Sequence, residues 1–324
     1  MKTSANRFLI AITFLTFIVY GCSKTTDISS SGNLQSASIT TTGSHVYGLL
    51  PTTPDQYANV PLYSREAFNT SMIEKGVTPP VSVPKVFTLV SPPVRDQGQI
   101  GSCTAFCGAE SDEILYYYKN QTWPTLSPAF VYYCERVLIL KQKISADKGA
   151  SMVNIPQALQ KYGDCLESSY VYPSSNTSPE YTIAPTSAAL SEALNYVIGQ
   201  KKSSYAMIIS GDTAAVKNIL RGNTPVMLGF NVYDNTKYAY FEGLNTTNYT
   251  YNPLTSAGKL ATGVKLLGGH AVPIIGYDDT KKAFLIENSW GTSWGNVGYF
   301  YMPYTVFMSK TIVPSGNVYY ATLN

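Results

Sequence analysis

The hydrophobic pattern divides the chain into stretches of different character. Phe8 to Tyr20 is apolar apart from Thr13 and Thr16, and follows a segment that carries Lys2 and Arg7 but no acid. Residues 23–44 are more than half Ser and Thr, with little that can pack. Residues 46–80 are mixed, and Pro51, Pro54, Pro61, Pro79 and Pro80 forbid long helices there. Beyond Pro79 the pattern is that of a packed domain, helical first and strand-like afterwards. Cys103 to Lys119 has no Pro and one Gly, and Cys107, Ile114 and Tyr118 recur at helical spacing from Cys103. Ser127 caps a helix that opens with Pro128 and continues to Leu140. Further helices are predicted over 155–162, stopped by Gly163, over 186–198, and over 213–221 behind an Asp212 cap. Strands are predicted at Val226–Val232, His270–Tyr277, Ala283–Ser289, Gly298–Met302 and Val318–Leu323. Helices followed by antiparallel strands make an α+β fold.

Composition narrows the partners. Of 324 residues, 23 are Lys or Arg and 20 are Asp or Glu, a net charge of +3 without a basic stripe, so no nucleic-acid partner is expected. Two histidines exclude a His-rich metal site, and neither a metal nor a cofactor is expected. The first apolar run is too short to span a membrane comfortably and reads as an export signal. It ends in Val19-Tyr20-Gly21-Cys22, which resembles the lipobox of bacterial lipoproteins. That resemblance implies cleavage before Cys22, acylation of its thiol, and an extracytoplasmic protein held on a bacterial membrane by a lipid anchor. The organisation expected is therefore a signal over 1–21, a lipidated tether with a short pro-like segment over 22–78, and a domain over 79–324. Residues 46–80 are expected to pack on the domain or to lie in its cleft as a latency segment.

Candidate chemistry centres on a few residues. A Gly-rich turn, Gln97-Gly98-Gln99-Ile100-Gly101-Ser102, runs into Cys103 at a helix start. Unsatisfied N–H groups and the helix dipole favour thiolate there. His45 lies in the tether, which leaves His270 as the general base. His270 and Asn288 face each other across a hairpin if its turn is centred on Asp279, and stand two places apart if it is centred on Thr280. Either arrangement brings an amide oxygen to the imidazole.

Together these residues resemble the papain-like cysteine peptidases. Gln97-Gly98-x-x-Gly101-Ser102-Cys103 is similar to that family's nucleophile motif, and Leu126-Ser127 to the opening of its second helix. Gly268-Gly269-His270-Ala271-Val272 is similar to its histidine strand, and Asn288-Ser289-Trp290-Gly291 with Trp294-Gly295 and Gly298-Tyr299-Phe300 to its asparagine motif. The resemblance implies a two-lobed fold, with a helical lobe, an antiparallel β lobe and a cleft between them. It implies Cys103 as nucleophile, His270 as base and acid, Asn288 as its orienter, and Gln97 with the Cys103 N–H as the oxyanion hole. It implies further that Trp290 shields the Asn–His bond and that Gly149 and Ala150 line the substrate. The substrate expected is a protein or peptide, hydrolysed by a monomer. The alternatives are a silent surface-binding protein on the same fold and a Cys-dependent transpeptidase or amidase. Thr104 departs from the family's usual tryptophan. Ile100 replaces a commonly bridged cysteine, so Cys107, Cys134 and Cys165 can form one bridge at most or remain thiols.

Overall fold

The computed structural model describes residues 40–42, 45–77, 83–201, 204–235, 237 and 239–323, with the backbone alone for 40–42. The export segment, Cys22 and most of the Ser/Thr tether lie outside the described residues. The described chain begins as a hairpin of β1 (Thr40–Thr42) and β2 (His45–Tyr47), followed by β3 (Leu49–Leu50). Pro54 opens the short α1 (Pro54–Tyr57), and the Ser64 hydroxyl caps α2 (Arg65–Glu74) by accepting from the Ala67 N–H at 3.3 Å. Phe68 and Met72, one turn apart on α2, are buried in the core of the sheet. The packed unit thus reaches back well ahead of Pro79. The prolines of this region bound short elements and do not prevent packing.

The helical part follows β4 (Val86–Thr88) and comprises α3 (Cys103–Asn120), α4 (Pro128–Tyr133) and, after the two-residue β5 (Ala150–Ser151), α5 (Asn154–Lys161) and α6 (Ser187–Ala193). The helix expected to reach Leu140 changes to a π-helical turn over Cys134–Ile139. The helix expected to reach Ile198 stops at Ala193, whose carbonyl lies so close to Gly163 that a Cβ there would sit 1.9 Å away. Past β6 (Tyr205–Met207) and α7 (Thr213–Arg221) come β7 (Val226–Asp234), β8 (Lys265–Asp278), β9 (Ala283–Glu287), β10 (Tyr299–Pro303), α8 (Tyr304–Phe307) and β11 (Val318–Ala321). The sheet runs β10-β9-β8-β7-β11-β6 with every pair antiparallel, and β4 joins β8. One core, with Phe230, Phe284, Phe300 and Phe307, belongs to the sheet and α2. The other, with Phe130, Val131, Ile155 and Leu159, lies between the helices and also takes in Met227 and Ala271 of the sheet. Between them α3 packs against β7 and β8. That contact sets Cys103 against the histidine strand.

The buried length of α3 carries Glu110, Asp112 and Glu113, and Asp164 and Glu287 are buried as well. The Arg95 guanidinium pairs with Glu113 at 3.1 Å. Burial outweighs that ion pair and pushes Glu113 up to about 7; it pushes Glu135 up to about 8, and raises Glu110, Asp112, Asp164 and Glu287 as well. A carboxyl raised on folding contributes stability below its unfolded value, near 4.3, and loses it as pH rises through the folded one. The stability these carboxyls contribute is therefore expected to decline as the pH rises from about 4.3 through about 8. The Tm of the folded chain should fall by roughly 10 °C between pH 5 and pH 9. A thermal scan in which Tm rises over that range would contradict this assignment.

Candidate active site

The turn before Cys103 is shaped from both ends. Asp96 Oδ1 accepts from the Gly98 N–H at 2.8 Å, and Gly98 takes a left-handed φ of 55° that suits glycine. Tyr172 donates to the Gln97 carbonyl at 2.9 Å and meets the Ser102 hydroxyl at 2.5 Å. Cys103 is the first residue of α3, is fully buried, and has the backbone N–H groups of Gly48 and Ala271 directed at its sulfur. The helix start favours thiolate, but burial outweighs it and pushes the thiol up to about 12. In this closed arrangement the nucleophile is a thiol, contrary to the expectation from its position. Gln97 is fixed through its side-chain oxygen, which accepts from Ser289 at 2.7 Å. Its Nε2 donates to the carbonyls of Val46 and Ile100, each at 3.0 Å. Behind the nucleophile, Thr104 donates to the buried Glu135 at 2.7 Å.

His270 Nε2 and Asn288 Oδ1 are 2.7 Å apart. Oδ1 also accepts from the Ser289 N–H at 2.9 Å, so the ring donates from Nε2 and Nδ1 keeps its lone pair. Nδ1 is buried with no partner among the described residues, and burial lowers the imidazole to about 4. The register that aligns the pair depends on an irregularity. Next to the turn Asp278 pairs with Ala283 and Gly276 with Leu285, which would leave His270 three places from Asn288 on the opposite face. A bulge at Ile275 slips the ladder so that Ile274 pairs with Ile286. The offset becomes two, and both side chains share a face. The turn therefore lies beyond Asp279, held by Asp278 Oδ1, which accepts from the Thr280 and Lys281 N–H groups at 2.8 and 3.1 Å. Aromatic rings enclose the imidazole, with centroids at 5.3 Å for Trp290, 5.8 Å for Phe241 and 5.9 Å for Phe230.

The site is covered by residues 45–50. Val46 places its carbonyl on Gln97 Nε2, and the Gly48 carbonyl accepts from the Ala150 N–H at 3.1 Å. Leu49–Leu50 then pair in parallel with Ala150–Ser151. The backbones approach closely: a Cβ on Gly48 would stand 1.9 Å from the Gly101 carbonyl oxygen, and one on Gly149 1.9 Å from the Gly48 oxygen. Tyr47 presents its ring edge-on to His270 at 6.0 Å and donates to Glu242 at 3.2 Å. His45 is no bystander in the tether. It stacks on Trp290 at 4.5 Å and 10° and lies 3.4 Å from Asp96.

Gln97, Cys103, His270, Asn288, Trp290, Gly149 and Ala150 thus gather at one place. Cys107, Cys134 and Cys165 are buried free thiols. The parts played by Ser289, Tyr172 and Phe241 went unpredicted, whereas the covering residues fall at the start of the stretch 46–80 expected to pack on the domain or lie in its cleft. Ser289 stood inside a recognised motif and could have been found there, while Tyr172 and Phe241 carry no local signal.

Comparison with known proteins agrees with this geometry. The chain matches the model of the papain family cysteine proteases over residues 88–312. It is 29% identical to an uncharacterized peptidase C1-like protein of Acanthamoeba polyphaga mimivirus, across 82% of this chain and 83% of that one. It is 29% identical to the cathepsin B-like CP3 of Giardia intestinalis, across 64% of this chain and 63% of that one. Among solved structures it superposes on xylellain, a cysteine protease from Xylella fastidiosa, with a TM-score of 0.69 and 27% identity over 86% of this chain and 96% of that one. A family match across most of the chain, a shared fold and a cysteine set against a histidine–asparagine pair lead to one conclusion: the chain belongs to the papain family of cysteine proteases and is a cysteine-type peptidase.

Proposed function

We propose that this chain is an exported, lipid-anchored endopeptidase, held latent by residues 45–50. The observation that carries latency is the carbonyl of Val46 resting on the Gln97 amide while the chain around Gly48 seals Cys103 from solvent. The covering strand continues at both ends, from β2 beside Trp290 to β3 beside Ala150–Ser151. A cleft that accepts a chain passing through supports cleavage within a protein or peptide. The export signal and the Gly21-Cys22 junction support an extracytoplasmic location with the lipid on Cys22.

With the strand displaced, the Cys103 sulfur gives up its proton to His270 and attacks a peptide carbonyl carbon. The carbonyl oxygen takes the negative charge between Gln97 Nε2 and the Cys103 N–H. His270 protonates the leaving nitrogen as the C–N bond breaks, leaving a thioester. Water, deprotonated by the same imidazole, then attacks that thioester and releases acid and thiol. Asn288 keeps the ring turned so that Nδ1 meets the sulfur.

The test uses end-blocked peptides, which only internal cleavage can consume, after brief limited proteolysis of the full chain. Internal products from the wild type and none from Cys103→Ala are expected; products from Cys103→Ala would defeat the assignment. In cells, palmitate incorporation should be lost in Cys22→Ser, and incorporation that persists would remove the anchor.

A further inference from the structure

We propose that Asp147 is a positioning residue that couples the nucleophile turn to the substrate-lining strip. Its carboxylate accepts from the Gly101 N–H at 3.2 and 3.1 Å, which holds the turn two residues before Cys103. The same carboxylate accepts from the Tyr132 hydroxyl at 2.5 Å and from the Asn176 amide at 2.9 Å. The Tyr132 oxygen in turn accepts from the Gly149 N–H at 3.1 Å, directly before Ala150, whose own N–H receives the chain in the cleft. One carboxylate and one phenol therefore link the two backbone segments that must grip a substrate together. Further contacts support them. The Arg136 guanidinium lies 4.3 Å over the Tyr132 ring and donates to the carbonyls of Ala146 and Ile144 at 2.5 and 3.1 Å. Gln142 donates to the Gly149 carbonyl at 3.0 Å. All four described cysteines are free thiols, so no disulfide among them performs this tie.

The chemistry follows from the geometry. The turn sets where the Cys103 N–H and Gln97 point, and so acts on the transition state. The strip sets where substrate backbone lies, and so acts on binding. An aspartate that holds the turn directly and the strip through Tyr132 should affect kcat and KM, whereas loss of the Tyr132 hydroxyl releases the strip but leaves the Gly101 N–H on the carboxylate, and so should affect KM alone. This rests on the peptidase reading above, and the experiment separates the two.

Amide hydrogen exchange on the full chain tests the tie without any need for turnover. In Asp147→Ala, exchange over 98–102 and 148–151 should quicken together, by at least about tenfold. In Tyr132→Phe only 148–151 should quicken, and β7 should be unchanged in both variants. Protection retained in either segment of Asp147→Ala, or equal loss in β7, would overturn the proposal. Kinetics follow in a chain opened by Gly48→Glu. Asp147→Ala should lower kcat/KM by about 30-fold with a fall in kcat, and Asp147→Asn, which keeps a carbonyl acceptor, should recover part of it. Tyr132→Phe should raise KM by about fivefold and leave kcat within about twofold. Alkylation of Cys103 by iodoacetamide, which needs neither turn nor strip, should stay within about twofold in each variant. An equal fall in alkylation would show a general structural role instead. If Gly48→Glu alone cleaves no peptide although Cys103 alkylates, the peptidase reading fails, and the exchange result still decides the tie.

Discussion

Replacing Gly48 by glutamate in the full chain is expected to speed the reaction of Cys103 with a peptidyl epoxide by at least about tenfold. The reason is steric. The Gly48 backbone lies so close to the nucleophile turn that a Cβ would stand 1.9 Å from the Gly101 carbonyl oxygen, and neither partner is a flexible side chain. Forcing atoms into such a contact costs about 1–3 kcal/mol, which shifts a closed–open equilibrium by roughly 5- to 150-fold. A carboxylate carried into this buried cleft adds its own desolvation cost. The rest of the packed chain has reason to remain folded, since α2 and most of both cores lie away from the contact, and only Tyr47, Leu49 and Ile100 beside it belong to them. The pH dependence should change as well. With the cleft closed, burial holds the thiol up at about 12, so alkylation keeps rising through the alkaline range. With water admitted, the thiolate forms at lower pH and the rate levels off earlier. An epoxide rate in Gly48→Glu equal to wild type, with an unchanged thermal transition, would sink the latency proposal.

In the opened background, His270→Ala is expected to lower kcat/KM by a factor on the order of 10⁴–10⁶, and Cys103→Ala to abolish turnover. Gln97→Ala should cost on the order of 10²–10³ in kcat, the loss of one oxyanion donor. Iodoacetamide distinguishes these roles. It reads thiolate formation and needs no oxyanion hole, so Gln97→Ala should alkylate nearly as wild type, whereas His270→Ala should alkylate slowly. The Nδ1 lone pair supports this, because the other ring nitrogen is already held by Asn288 Oδ1, which itself accepts from the Ser289 N–H. If His270→Ala kept most of its turnover, the proton would have to reach the leaving group by another route, and Glu135, which also acts on the sulfur, is held behind it by Thr104.

Much of this protein is legible along the chain because its signals are local. Prolines, caps and 3.6-residue spacing depend on neighbours in sequence, so α3, α5 and α7 fall within a residue of where the pattern puts them. Cys103 and Gln97 sit six positions apart in one turn, and Asn288, Ser289 and Trp290 are consecutive. The pairing of His270 with Asn288 was accessible in part. Antiparallel geometry brings them near, but the bulge at Ile275 decides that they share a face, and no residue type announces a bulge there.

The sequence by itself determined the fold class, the order of helical and β halves, and the identity of the residues that meet at the site. Tertiary structure alone decided which residues of the stretch ahead of the domain cover that site and in which protonation state it rests. Residues 46–80 could have packed anywhere on the domain, and only the close approach of glycine backbones shows that 45–50 are the part that fits the cleft. Asp147 lies in a polar loop, and only folding sets it between Gly101 and Tyr132. The thiol that a helix start would ionise stays protonated because burial, which depends on the whole chain, outweighs a dipole that depends on one turn.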